Sequence, residues 1–440
     1  MNLSLGIEWI TILMFGSMLF IMLLGLPVAF SCGTVGVIFT ALLQGPAAVN
    51  LVPTRIFGLM TNYLLAAIPL FILMACIAEK GGLIADIYEA VYQWSGPLRG
   101  GVAHASIIAC TMMAAMVGVI GASEVTMGLI ALPEMLRRRY QKHMAIGSIL
   151  AGGTLGILIP PSAMLIVYGM VDNSSIGQLY AGAFLPGFLL AALYIAYVAI
   201  RCAINPTMGP PIPAEERLPL NERLKKLFPL IPMSVLIFLV LGTIVIGIAA
   251  PTEAAGVGAA GAFVMMWLQR RLTGKGIVQA CENTLRASAM VLWTMFGANV
   301  FVALYVMVGG GAFVTQLLLS AGNKWVILYI MQFILIFLGC FIDWVGIIML
   351  TVPLFGPIIR KLGFDPIWFG VLFTVNMQMS FLSPPFGYAL FYLKGVAPPE
   401  ITTRDIWKGA VVFLLLQFIG LNLCILWPEI ILVVPKYFYR

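Results

Sequence analysis

Charge is what this sequence has least of. Asp, Glu, Lys and Arg together make up 9% of the 440 residues, against 62% hydrophobic ones. A soluble domain carries roughly 25% charged residues, so an ordinary globular protein is excluded. The scarcity is also uneven. No charged residue lies between Glu8 and Arg55, between Arg55 and Glu79, between positions 173 and 200, or between Arg286 and Lys324. A membrane-spanning helix needs about 20 apolar residues. In lipid every backbone group must bond internally, which favours helices. The alternating pattern of a transmembrane barrel is missing as well.

Other absences narrow the function. His104 and His143 are the only histidines. Neither has a cysteine or carboxylate at ligand spacing, which argues against a zinc-type centre. The seven cysteines are scattered and form no CxxC, so they read as small apolar fillers. The only Gly-Lys pair, Gly274–Lys275, is followed by Gly276. That is not a Walker A loop, so ATP-driven transport by this chain alone is unsupported. No Ser/His/Asp or zinc arrangement supports an enzyme. The first apolar run has no Lys or Arg before it, so a retained first span is expected rather than a cleaved signal. The net charge of +7 would suggest nucleic acid in a soluble protein. Here the positives sit in short loops, where they orient the chain in lipid, and no nucleic-acid partner is expected.

What is present reads as an all-α polytopic membrane protein with ten crossings and two re-entrant hairpins. The crossings are expected near 7–25, 27–45, 61–78, 144–169, 180–200, 227–248, 254–267, 287–308, 368–392 and 409–427. The hairpins are expected at 101–135 and 324–358. Three basic clusters occur: Arg137, Arg138, Arg139 and Lys142; Arg217, Arg223, Lys225 and Lys226; Arg270, Arg271 and Lys275. Two spans separate each cluster from the next, so all three fall on one face, the cytoplasmic one. Both termini are then outside, with Lys436 and Arg440 on the disfavoured side.

Proline landmarks reveal a repeat. Pro27 recurs as Pro251, and Pro160–Pro161 recurs as Pro384–Pro385, both at an offset of 224 residues; Pro133 recurs as Pro353 at an offset of 220. Chance could place prolines alike, but order, spacing and doublets agree together. Residues 1–200 form a first repeat, 201–226 a cytoplasmic linker and 227–440 a second repeat. Each repeat has five crossings and one hairpin. An odd number of crossings inverts the second copy, a recurring plan of secondary transporters.

The chemistry concentrates where this plan breaks regular structure. A proline doublet interrupts a helix, within 144–169 and again within 368–392. At membrane depth such a break is tolerated where the freed groups line a cavity or bind an ion. Small and polar residues precede each doublet: Gly152, Gly153, Thr154 and Gly156, then Asn376, Gln378 and Ser380. The next half-helix starts near Ser162 or Gly387, and its N-terminus attracts an anion. The hairpin tips are expected at 118–123 and 339–343. Glu124 and Asp343 are acids inside the membrane and so candidates for function, or else bonds to tip amides. Glu253 starts a helix, where a cap is the plainer reading.

These residues resemble the large membrane subunit of the tripartite ATP-independent periplasmic (TRAP) transporters, the DctM-like family. The resemblance covers nearly the whole chain. It is carried by AAIPLFILM from Ala66, GGTLGILIPPS from Gly152, APTEAA from Ala250 and SPPFGYALF from Ser383. The stretch from Asp343 through VNMQMSFLSPPFGYALFYLKGVAP is similar to the branch labelled for mannitol or chloroaromatic compounds. The resemblance implies an elevator mechanism coupled to sodium ions. One sodium site then falls on Gly121, Ser123, Thr154 and Gly156, the other on Gly339, Asp343, Gln378 and Ser380. Substrate falls near Pro161, Ser162, Pro385 and Gly387. Many family members read G-S-S-x-A at the first tip; this chain reads Gly121–Ala122–Ser123–Glu124–Val125, losing a hydroxyl and gaining an acid. The implied partners are a separate small four-helix membrane subunit, a periplasmic substrate-binding protein, membrane lipid and a small organic acid, a 2-oxoacid or hydroxyacid among the options. The implied location is the bacterial inner membrane. Two rivals are a self-sufficient sodium/anion symporter without binding protein and a non-transporting scaffold or channel.

Overall fold

The computed structural model describes residues 6–117, 120–384 and 387–439. Among the described residues the chain is helical throughout, with no strand. Five helices are each long and apolar enough to cross a bilayer: Tyr63–Lys80, Ile176–Ile204, Gly274–Met307, Trp344–Lys361 and Thr403–Leu426. Several expected spans are shorter helices, among them Ile7–Leu23, Val28–Gln44 and Pro366–Leu382. Punctuation sets their ends. Gly25 adopts φ 92° after the first helix, and Pro27 is the N-cap of the second. Large apolar side chains such as Phe20, Phe238, Trp293 and Phe333 face outward, the surface that lipid covers.

Both hairpins are present. The arms of the first are Gly101–Val117 and Ile120–Arg137; those of the second are Lys324–Gly339 and Trp344–Lys361. Their open ends meet. Tyr140 accepts a hydrogen bond from the Val102 amide at 3.2 Å. Trp325 packs edge-on against Phe364 with ring centroids 5.3 Å apart. So Trp344–Lys361, although long enough to cross, returns beside the start of its partner arm. Both doublets interrupt helices as expected. Lys142–Thr154 passes through a short 3-10 turn, Leu155–Ile157, and resumes as Ala163–Asp172. Pro366–Leu382 stops before the second doublet and resumes as Tyr388–Val396.

The packing repeats with the prolines. Val28–Gln44 lies against Gly274–Met307, and its counterpart Pro251–Leu268 lies against Ala67–Lys80. Lys142–Thr154 lies against Thr403–Leu426, and its counterpart Pro366–Leu382 contacts Ile176–Ile204. Small residues permit the close approaches. A β-carbon on Gly36 would sit 2.9 Å from the Phe301 amide nitrogen, and one on Gly297 would overlap the Ala29 carbonyl. Tight small-residue seams hold membrane helices together where lipid removes the hydrophobic drive.

One short helix organises a face. Leu83–Ser95 was not expected as a separate element, yet it gathers all three basic clusters. Asp86 pairs with Arg271, Glu89 lies 3.6 Å from Lys226, and Tyr92 accepts from Arg138 at 2.8 Å. Arg138 also pairs with Glu134 at 2.5 Å and with Glu216. Burial opposes the charge on Arg138, but these hydrogen bonds hold its guanidinium well above its ordinary range. The segment after Asn205 seals the base of the first hairpin, with Gly100 donating to the Gly209 carbonyl at 2.7 Å.

Candidate functional site

The second hairpin tip is built around Asp343. The first arm ends at Gly339, and Asp343 is the N-cap of the returning arm. Its Oδ1 accepts from the Gly346 amide at 3.1 Å. Its Oδ2 is buried and has no hydrogen-bond partner. An N-cap satisfies an amide that the helix leaves open, so one oxygen is structural and the other is spare. Gly339 touches the broken helix directly: a β-carbon there would overlap the Ser380 side chain. Ser380 itself reaches the Leu335 carbonyl at 3.5 Å. Gln378 is buried, and neither end of its amide is bonded. Asn376 donates to the Gln332 side-chain oxygen at 2.6 Å, tying the arm to the break. A polar residue on the arm, Gln332, thus joins the site; sequence reading passed over it as one polar position in an apolar run.

Asp343 opens onto a cavity of about 520 Å³. Tyr388, at the start of the resumed half-helix, lines it together with Pro27, Val28 and Thr294. The cavity therefore lies between the tip and helices of the Val28–Gln44 and Gly274–Met307 pair. Of the expected substrate residues, Gly387 is the N-cap of Tyr388–Val396, and a β-carbon there would come within 2.5 Å of the Phe381 carbonyl oxygen. Pro385 lies outside the described residues.

The first tip differs from expectation. The returning arm is already helical from Ile120, so Gly121, Ser123 and Glu124 sit in its opening turns rather than in an open loop. Gly118 and Val119 lie outside the described residues. With Pro133 and Pro353 superposed, this arm starts earlier than its counterpart, so Ser123 is inside a helix where Asp343 is a cap. Ser123 and Glu124 are both buried. Neither Glu124 oxygen has a hydrogen-bond partner. The carboxyl lies over the Gly153 backbone, where a β-carbon would come within 2.8 Å of Oε1. Gly121 sits under the Tyr392 ring, 3.1 Å from Cζ by the same measure. Thr154 is engaged twice, donating to the Ala151 carbonyl at 2.9 Å and accepting from Gln417 at 3.2 Å. Gly156 is buried in the 3-10 turn.

Pro161 follows a cis bond from Pro160. Ser162 caps the resumed helix; it donates to the Ile157 carbonyl and accepts from the Leu165 amide at 3.4 Å. Tyr180 holds the Ser162 carbonyl at 3.3 Å. Glu253 is a cap, accepting from the Ala250 amide at 3.0 Å.

A chain with two hairpins and two broken helices, and with a cavity edged by the acid of the second tip, finds its match among known proteins. The family model for the tripartite ATP-independent periplasmic transporter, DctM component, matches residues 15–430. The chain belongs to that family. It is 31% identical over 405 residues to the C4-dicarboxylate TRAP transporter large permease protein DctM of Pseudomonas aeruginosa, covering 90% of this chain and 92% of that one. It is 28% identical to the sialic acid TRAP transporter large permease protein SiaM of Vibrio cholerae, covering 94% and 96%. The solved structure of MtrF of Neisseria gonorrhoeae, described as an antimetabolite efflux pump, shares the fold at a TM-score of 0.60 with 15% identity, covering 87% and 84%. The chain is thus a large permease subunit, a multi-pass protein of the bacterial inner membrane and not an enzyme. Permeases of this family work with a small membrane subunit and a periplasmic binding protein.

Proposed function

We propose that this permease imports a small organic acid anion, coupled to sodium and dependent on a binding protein. The observation that carries the reading is the spare buried Asp343 oxygen at the edge of the 520 Å³ cavity. A carboxylate in apolar surroundings needs a compensating charge. A hard oxygen set of Asp343, Ser380, the Gln378 carbonyl oxygen and carbonyls near Gly339 suits a sodium ion, since hard cations take oxygen ligands. Gly121, Ser123, Thr154 and Gly156 are proposed for a second ion at the first tip. The ions supply the driving gradient; the chain positions their ligands and the substrate between the tips. Ser162, Pro161, Pro385 and Gly387 mark the substrate end of each half-helix, whose dipole favours an anion.

In this reading the hairpins and broken helices move as one body against the paired helices around them, an elevator motion. The second repeat is inverted, which places 324–358 on the outer side. Curated relatives named for C4-dicarboxylates and for sialic acid support an acid as cargo. The sialic acid permease SiaT of Haemophilus influenzae is a longer chain, of which this one covers 67%.

The test is uptake into proteoliposomes holding this chain and its small subunit. Labelled C4-dicarboxylates and hydroxyacids should accumulate only with an inward sodium gradient and added binding protein. Strong sodium-driven uptake without binding protein would establish the self-sufficient symporter instead. Binding-protein-dependent uptake that ignores sodium would refute the coupling.

A further inference from the structure

We infer that this permease has a second, outer anion site centred on Arg55, distinct from the cavity at Asp343, and that it takes a small 2-hydroxycarboxylate. A cavity of about 340 Å³ is lined by Arg55, Asn62 and Asn299, with Met170, Met349 and Pro353 among its other walls. Ligand pockets run from about 300 Å³ upward, so this one suits a small molecule.

Its polar groups are complementary to one chemistry. Arg55 pairs with no carboxylate among the described residues, although Arg360 and Lys436 pair with Asp172 and Glu429. An arginine fork binds a carboxylate through two parallel hydrogen bonds. The Asn62 carbonyl oxygen is already used, accepting from the Leu64 amide at 3.0 Å. Its NH2 group is what remains for a ligand. Asn299 contributes the opposite: its Oδ1 is buried and has no partner. One cation, one neutral donor and one acceptor fit an acid that carries a hydroxyl beside its carboxylate. A plain acid leaves Asn299 unsatisfied, and a neutral amide leaves Arg55 unpaired.

Position gives the site its role. Gly274–Met307 starts just after Arg271, which is held by Asp86, and Asn299 lies toward its far end. Met170 adjoins Asp172, which Arg360 holds at 2.9 Å. The cavity is therefore at the end of the molecule remote from the three basic clusters. That is the outer face, where the positive-inside rule makes an unpaired arginine costly to explain as orientation alone. Asn299 belongs to Gly274–Met307, Arg55 to the short helix Leu51–Met60 that packs against it, and Asn62 caps the turn that follows; Met170 and Met349 belong to the broken helix and the hairpin proposed to move. A ligand here bridges the two bodies before it reaches the tips. This role rests on the importer reading above, whereas the site itself does not.

The test reads the site without transport. The chain and its small subunit are placed in phosphatidylcholine nanodiscs and treated with phenylglyoxal. Modification of Arg55 is followed by mass spectrometry, with exposed Arg137 as internal control. Millimolar L-lactate or L-malate should slow Arg55 severalfold and leave Arg137 unchanged. Lactamide should not protect. Propionate should need about tenfold more than lactate, the effect of losing one hydrogen bond to a buried acceptor, and Asn299→Ala should erase that difference. An Arg55 rate unmoved by either acid overturns the site. So does equal protection by lactamide, or protection that follows added phosphatidylglycerol instead, which would make it a lipid headgroup site. Because protection needs no uptake, a chain that transports no acid refutes the importer reading alone.

Discussion

Asp343 has two oxygens to satisfy and one amide to do it with. Oδ1 caps the hairpin arm through Gly346, and Oδ2 is buried without a partner. Asp343→Asn keeps a cap acceptor and removes the charge. If the residue holds a cation, the variant should insert and fold, and its sodium midpoint for uptake should rise about tenfold, the scale of one charged hydrogen-bonding partner. High sodium should restore part of the rate. Uptake against sodium concentration in purified protein decides it: an unchanged midpoint leaves Asp343 as a cap only. Gly339 offers a contrasting case. A β-carbon there overlaps Ser380, so Gly339→Ala should lower thermal stability in detergent by about 1–3 kcal/mol, the cost of overpacking. It should do so with and without sodium. At this scale the sequence was half legible. Asp343 and Glu253 stood out because an acid among apolar residues is costly anywhere. Gln417 did not, although its amide bonds Thr154 at 3.2 Å. It lies on a helix 263 residues away, and no local spacing can report such a pairing.

Helices declare themselves by different physics, and so were unequally readable. Apolar runs bounded by Gly and Pro located the long elements, because lipid forces backbone bonding inside each run. The two breaks followed from the doublets, because proline removes a donor and clashes with the preceding turn. Short helices such as Leu51–Met60, Leu83–Ser95 and Gly310–Leu319 escaped. They do not span, and a helix of that length owes its stability to packing rather than propensity. The start of the first returning arm escaped too, since Gly121 and Ser123 read as a turn but continue the helix. Packing between elements yields its own prediction. Gly297 lets Gly274–Met307 approach the Ala29 carbonyl of its partner helix. Gly297→Leu should force the pair apart and sharply lower the yield of monodisperse protein. Gly256→Leu should be tolerated, because its nearest neighbour in this sense, Leu70, stands 3.9 Å away. Size-exclusion profiles of the two variants, expressed side by side, test the seam.

Over the whole molecule, one short helix turns a loop-charge rule into a geometric statement. Asp86, Glu89 and Tyr92 recur at helical spacing on Leu83–Ser95, and each meets a different basic cluster. Clusters tied to one helix share one face, as the positive-inside rule requires of them. The pair Arg360–Asp172 joins the last turn of the second hairpin's returning arm to the end of the first broken helix. Lys142–Thr154 begins beside the basic clusters, so Asp172, past its break, lies toward the other side. With the basic clusters cytoplasmic, the segment 360–365 is expected at the periplasmic face. Single cysteines at Arg137 and Lys361 test this. Arg137 is the better probe of its loop, being 72% exposed where Arg138 is 10% exposed and held by Glu134 and Glu216. A membrane-impermeant maleimide added to intact cells should label Lys361→Cys and spare Arg137→Cys. Inside-out vesicles should reverse the pattern. Labelling of both positions from the same side would sink the inverted arrangement, because two hairpins entering from one face cannot belong to copies related by inversion.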